Sequence, residues 1–527
     1  MTASKTGCSA QHFFLFFSFF VITTSCVHAF AGGEGIFDVK AFGARGNGTS
    51  LDTKFIQNAI DSCNKHGGGV VTFPAGQYLT GSIFVKSNVF LEITSGATIL
   101  GSTNIADYVD SNFIYAESAV NIGFFGHGTI NGQGDSFLKG KERPYIRPDY
   151  VLHFHNCENV TIREINIRNA PKYSIYLKGC NLVHVEGISI INDREFPNTD
   201  GIDPVNSSNV FIRNCYISTG DDAICLKSED ANLVTNNIVV SDCILESDDS
   251  AIKCGTASVG AIQNCIFDDI TIKNSRYGIS LFMKDGGKYG NLKFSNILLQ
   301  TETEQYATHG RYSFPIFMDI EKRDEHSSFG EMKDIVFDNV NIETYNGNCL
   351  FFGQPEKKIE DITLNNITMK ILKRIDYSKR HKARGTRTLT NVESNDYANI
   401  SSHLTVANVE GLTIRNLTIE DVDQETDFER YLLWGKNVNG VLIDGLENEQ
   451  VVKNKSYPFI KLTDGEDVTV RNSEPDSNAV GFIEIEGKES RDIKLIDNDL
   501  TGVTKGIIYG VGAPKNAVHV WEAERKK

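Results

Sequence analysis

Four carboxylates crowd two short segments of the chain, Asn198-Thr199-Asp200-Gly201-Ile202-Asp203 and Gly220-Asp221-Asp222-Ala223-Ile224, with Asp200 and Asp221 only 21 residues apart. Carboxylates held side by side repel, so one keeps its proton near neutral pH while its neighbour stays ionised. A proton donor and a base at one place are what acid/base hydrolysis of a glycosidic bond requires. For a lone Asp-Gly or Asp-Asp, the competing reading is a plain turn between strands. The repeat context around these segments favours the chemical reading.

A short motif recurs along the chain. It opens as Asn159-Val160-Thr161-Ile162, Leu182-Val183-His184-Val185, Asn209-Val210-Phe211-Ile212 and Asn237-Ile238-Val239-Val240, and it is still present at Asp467-Val468-Thr469-Val470. From 160 to 183, 210 and 238 the steps are 23, 27 and 28 residues. A strand-rich unit of that length, alternating with period 2 and without a long helical segment, predicts an all-β fold: a single-stranded right-handed parallel β-helix in which each coil adds one rung. Alternating Val and Ile point inward and stack on the next coil, while Asn and Cys at the bends continue the ladder. Cys215, Cys243 and Cys265 are expected at similar places in their repeats, and sequons such as Asn159-Val160-Thr161 and Asn366-Ile367-Thr368 are read as rung residues. The segment from Asp52 to Lys65, with Phe55, Ile56, Ala59 and Ile60 at helical spacing, predicts a short N-terminal capping helix that covers a strand edge. Two stretches, 300 to 333 and 370 to 408, are too long for one coil and are read as projecting loops. The second carries the basic run Lys379-Arg380-His381-Lys382-Ala383-Arg384, either a solvated loop or a grip for an anionic chain.

At 527 residues the chain is long enough for several ordinary domains, but one elongated repeat array can absorb all of it. Residues 1–31 read as a secretory signal peptide and 32–527 as one β-helical catalytic domain. The leader has Lys5, an apolar run from Phe13 to Ile22, and small-residue cleavage patterns at Val27-His28-Ala29 and Ala29-Phe30-Ala31. Ten apolar residues are too few for a membrane span, which needs roughly 20. The expected location is secreted or periplasmic, with lipidation at Cys26 and display as a surface lipoprotein as the second reading. Cleavage removes Cys8 and Cys26, leaving nine of the eleven cysteines as buried small hydrophobes rather than a disulfide framework. The formal charge of -16 argues against nucleic acid or an anionic membrane surface as a general partner, whereas an acidic substrate needs only a local basic pocket.

Four segments, in order, carry a resemblance: Gly35-Ile36-Phe37-Asp38-Val39-Lys40-Ala41-Phe42-Gly43-Ala44, Gly126-His127-Gly128-Thr129-Ile130-Asn131-Gly132-Gln133-Gly134, Asn198-Thr199-Asp200-Gly201 and Gly220-Asp221-Asp222-Ala223. Together they resemble the polygalacturonase family, glycoside hydrolase family 28, over residues 35 to 300. The resemblance implies a parallel β-helix and hydrolysis with inversion. By position it makes Asp221 the general acid and Asp200 and Asp222 the pair that orients water, with Asp203 supporting them. Two family motifs are absent: no Gly-His-Gly falls near Asp249-Ser250-Ala251, and no Arg-x-Lys falls near Ser280-Leu281-Phe282. Lys253 lies on the rung of the missing His, and Lys227, Arg276 and Lys284 lie at comparable depth, so these four are candidate substrate-binding cations. A basic subsite or one for a neutral or sulfated sugar remains open. The expected function is hydrolysis of a pectin-like, galacturonate-containing polysaccharide by a monomer, without metal or organic cofactor. The alternatives are a polysaccharide lyase and an inactive polysaccharide-binding β-helix.

Overall fold

The computed structural model describes residues 35–301, 313–345, 348–372, 397, 400–422, 431–450, 457–475, 479–501 and 503–521. The leader with Cys26, and the basic run of the second long stretch, lie outside the described residues. Strands follow one another along the chain and pair in parallel with their counterparts one coil on, from Ile36–Asp38 to Val518–Trp521. The protein is a right-handed parallel β-helix. Among the described residues no helix is long and apolar enough to cross a membrane.

Each early coil contributes three strands, for example Tyr150–His155, Glu158–Arg163 and Asn166–Arg168. Three columns of inward residues result. Val160, Val183, Val210 and Ile238 pair in register through the second strand of their coils. Ile167, Ile190, Ile217 and Leu245 pair through the third. On the first strand, Leu152, Ile175, Ile202, Ile224, Ile252, Ile279 and Ile316 form the column beneath the acidic segments. All are essentially inaccessible to solvent. Like sits on like because parallel pairing repeats each position about 4.8 Å further along the axis.

The bends are held by asparagines in the left-handed region, among them Asn209 and Asn237 at φ 56°. Their side-chain amides donate to the next carboxamide down the stack, Asn209 to Asn181 at 2.8 Å, Asn237 to Asn209 at 2.6 Å and Asn291 to Asn264 at 2.7 Å. Asn serves because it tolerates positive φ and brings its own donor and acceptor. The capping helix spans Thr53–Lys65 and buries Ile56, Ala59, Ile60 and Cys63. The nine cysteines are free and buried.

Two expectations need correction. Cys215 and Cys243 do share a row, since Tyr216 pairs with Ile244, but Cys265 belongs to the column of Ile238 and pairs with Leu292. The later coils fuse two strands into one long one, Ala261–Ser275, so the local repeat phase slips. The stretch from 300 to 333 is not one projecting loop either. It contains Phe314–Ile320, a full rung paired to Tyr277–Met283.

Candidate active site

The two acidic segments enter the first sheet on successive coils, immediately before the strands Ile202–Val205 and Ile224–Ser228. Glycine permits the approach. A Cβ on Gly201 would stand 2.4 Å from the Ala223 carbonyl oxygen, and one on Gly220 would stand 2.3 Å from that of Phe196. Asn198, at φ 60°, turns the chain so that its backbone N–H and its side-chain amide both donate to Asp221 Oδ2, at 2.9 and 3.3 Å. Hydroxyls of Thr219 and Ser247 donate to the Asp221 carbonyl at 2.6 and 2.7 Å, pinning the same residue from behind. One carboxylate oxygen from each of Asp200, Asp221 and Asp222 lies within 4.8 Å of the others.

Two lysines reach into this cluster from following coils. Lys227 Nζ donates to Asp200 Oδ2 at 3.0 Å and to Asp203 Oδ1 at 2.5 Å, and it lies 4.7 Å above the ring of Tyr173. Lys253 Nζ donates to Asp222 Oδ2 at 2.8 Å. These ammonium groups provide the counter-charge that a metal ion would otherwise bring. Four aspartates against two lysines still leave two carboxyls in excess, and burial resolves the excess by protonation. Burial, reinforced by the charges of Asp200, Asp222 and Asp249, pushes the Asp221 carboxyl well above its ordinary range. Burial also raises Asp222, to about 6, against the pull of Lys253. It raises Asp203 as well, against the pull of Lys227. Burial disfavours a charged Lys227, but Asp200 and Asp203 outweigh it and raise its pKa, so the ammonium stays charged.

The oxygens Asp200 Oδ1 and Asp222 Oδ1 are buried and bond to no protein atom. Asp221, by contrast, is half-buried, with part of its side chain open to solvent. The site therefore sets one half-buried acid with a raised pKa at its rim, in front of three buried carboxyls, Asp200, Asp203 and Asp222, each bonded to a lysine through one oxygen with the other uncommitted.

Of the residues picked from sequence, Asp200, Asp203, Asp221, Asp222, Lys227 and Lys253 come together. Arg276 does not join them; it lies 4.9 Å over Tyr277 and 3.4 Å from Asp249. Lys284 also stands apart, its ammonium bonded to Asp319 Oδ2 at 2.6 Å and to Glu321, with all three side chains buried. Thr219, Ser247 and Asp249 were not picked from sequence. Ser247 and Asp249 lie one coil further on, and no motif joins them to Asp221.

A parallel β-helix that gathers four aspartates and two lysines on one face holds the paired carboxyls that glycoside hydrolysis uses. Residues 63–383 match the family described as Glycosyl hydrolases family 28, and the chain belongs to that family; it is a glycoside hydrolase. It is 26% identical over 373 residues to a probable polygalacturonase of Vitis vinifera, covering 62% of this chain and 73% of that protein. It is 25% identical over 358 residues to an endo-polygalacturonase of Pectobacterium parmentieri, covering 61% and 85%. Among solved structures, a Thermotoga maritima exopolygalacturonase superposes with a TM-score of 0.56 at 20% identity, covering 64% of this chain and 87% of that one. A Yersinia enterocolitica family 28 exopolygalacturonase gives 0.57 at 18% identity, covering 78% of each.

Proposed function

We propose that this protein hydrolyses glycosidic bonds in a galacturonate-containing polysaccharide by direct attack of water with inversion. Asp221 protonates the departing glycosidic oxygen, and Asp200 and Asp222 orient and deprotonate the water. The observation that carries this reading is the division of partners within one cluster: Asp221 is held by the neutral donors of Asn198, with burial and neighbouring carboxylates pushing its carboxyl well up, while Asp200 and Asp222 are each paired to an ammonium. Lys227 and Lys253 supply the counter-charge for those two carboxylates. Asp203 shares Lys227 and so positions Asp200. Relatives called polygalacturonases support the galacturonate assignment. The apolar run of the leader supports export, and N-terminal sequencing of the secreted protein tests it, a start near residue 30 being expected.

The carboxyl oxygens stand closer together than the roughly 6.5–9.5 Å usual for inverting enzymes. Inversion here therefore needs the water to sit beside the trio rather than between two facing carboxyls. Proton NMR of the first product decides it: the opposite anomer should appear first, and the original anomer overturns the inverting step. Reducing-end release across polygalacturonate, rhamnogalacturonans and sulfated algal glycans, with Asp221→Asn as control, tests the activity itself. Release from none of them, or release undiminished in the variant, overturns the reading. Products bearing an unsaturated uronate would identify a lyase instead.

A further inference from the structure

On the N-terminal side of the acid cluster the same face presents aromatic rings. Tyr115, His153 and Tyr176 pair in register along one row that continues into Asp203. Tyr150 and Tyr173 pair along the neighbouring row, and the Ser174 N–H donates to the carbonyl of Asp200 on the next coil. The rings touch: Tyr150 stacks on His153 at 4.2 Å between centroids and on Tyr173 at 5.6 Å, Tyr173 meets Tyr176 at 5.2 Å, and Tyr115 meets His153 at 5.1 Å. All but Tyr176 are half-buried, with part of each side chain open to solvent. Lys227 ties this surface to the acids by lying over Tyr173.

The cations of this stretch are already committed. Lys172 is paired with Asp149 at 2.7 Å and Lys178 with Glu229 at 2.7 Å, and Lys227 serves Asp200 and Asp203. Arg147 donates to the carbonyls of Pro171 and Pro197 and to the Asn198 side-chain oxygen. His153 is drawn down to about 4, by burial first and then by His155 and Lys178, so it is neutral at ordinary pH. A sugar carboxylate laid here would face Asp200, Asp203 and Glu229 and find no uncommitted cation among these described residues. An uncharged ring meets no such opposition, and its C–H face matches the electron-rich face of an aromatic ring.

We propose that Tyr115, Tyr150, His153, Tyr173 and Tyr176 form a platform for an uncharged sugar unit of the substrate, flanking the cleaved bond on the N-terminal side of the acid cluster. This rests on the hydrolase reading and narrows it: galacturonate occupies other positions of the polymer, and a neutral unit occupies this one.

The test uses binding to the Asp221→Asn protein, so that no substrate is consumed. Two probes are compared by calorimetry: oligogalacturonates, and the same oligomers with every carboxyl reduced to a primary alcohol. The reduced oligomers should bind with an affinity that stays constant as salt is raised, since no charge pair is screened. Tyr115→Ala and Tyr150→Ala should each weaken that binding about 2- to 10-fold, measured well below the melting temperature of each variant. No binding of the reduced oligomers, unchanged affinity for them in both tyrosine variants, or a loss in those variants confined to the charged oligomers overturns the platform. Failure of the hydrolase reading looks different: the wild type then releases no reducing ends from any glycan, whatever the tyrosine variants do to binding.

Discussion

The sheet of first strands buries lysine ammonium groups among carboxylates in two places, a coil or two apart, and the two are built differently. Around Lys284, Asp319 and Glu321 are fully buried and both bond the same ammonium. Around Lys227 and Lys253, Asp200, Asp203 and Asp222 are likewise paired, but Asp221 forms no ion pair among the described residues; neutral Asn198 donors hold it, and part of its side chain is open to solvent. Burial raises a carboxyl pKa in both, Asp319 to about 7 and Asp221 well above its usual range. A perturbed acid is therefore not what marks the site, since buried ion pairs perturb pKa values as well. The mark is an acid with a raised pKa that stays partly open to solvent while its neighbours are each bonded to a lysine behind it.

The sharpest way to break this contrast is to make the same kind of change in both places. Asp221→Asn should lower kcat by about 10²- to 10⁴-fold, the usual worth of general acid catalysis. Its melting temperature should not fall. A carboxyl raised above its ordinary value of 3.8 costs stability at higher pH, where the unfolded chain ionises freely, and the amide removes that cost. Scanning calorimetry should show the variant at least as stable at pH 7, with the difference vanishing below the ordinary value. A destabilised Asp221→Asn would place Asp221 with the structural triad.

Lys284→Met should do the reverse, costing about 3–5 kcal/mol by leaving two buried carboxyls without their partner, while KM of the protein that remains folded is unchanged. Denaturant unfolding and initial rates read the two effects separately. A raised KM with unaltered stability would instead make Lys284 a substrate ligand.

Lys253→Met sharpens the acid–base division. Lys253 pulls Asp222 down against burial, so its loss should carry Asp222 above about 6. Because Asp222 works ionised, the acidic limb of kcat/KM should move to higher pH; an unmoved limb would remove Asp222 from the water-activating pair. The smallest effect is expected from Asp203→Asn, which keeps a hydrogen-bond partner for Lys227 and leaves its charge to Asp200. It should lower kcat less than Asp200→Asn does, and an equal loss would promote Asp203 from positioning to catalysis.

Much of the architecture was legible because it is written locally. Val160, Val183, Val210 and Ile238 open their motifs at repeating intervals and stack in register, since period-2 alternation marks the inward face without reference to any other coil. The strand Phe314–Ile320 escaped notice because its Phe-Pro-Ile-Phe-Met run has no Asn or Asp at its head and every residue is buried, which erases the alternation. Cys265 was misplaced where two strands merge and the repeat changes phase. Asp200, Asp221 and Asp222 stood out because their segments are short and unusual. The partners of Lys284 did not, lying 35 and 37 residues away across an irregular coil. The tyrosine platform was equally hidden, its members scattered from 115 to 176 with nothing to join them but register.

The amino-acid order by itself determined the coil rhythm, the capping helix and the two acidic segments, all of which follow from neighbours in sequence. Only the tertiary structure decided which acid keeps its proton and which lysine serves which carboxylate. Those outcomes depend on burial and on charges acting through space, between residues such as Lys227 and Asp203, 24 apart, or Lys253 and Asp222, 31 apart, that meet only when successive coils close.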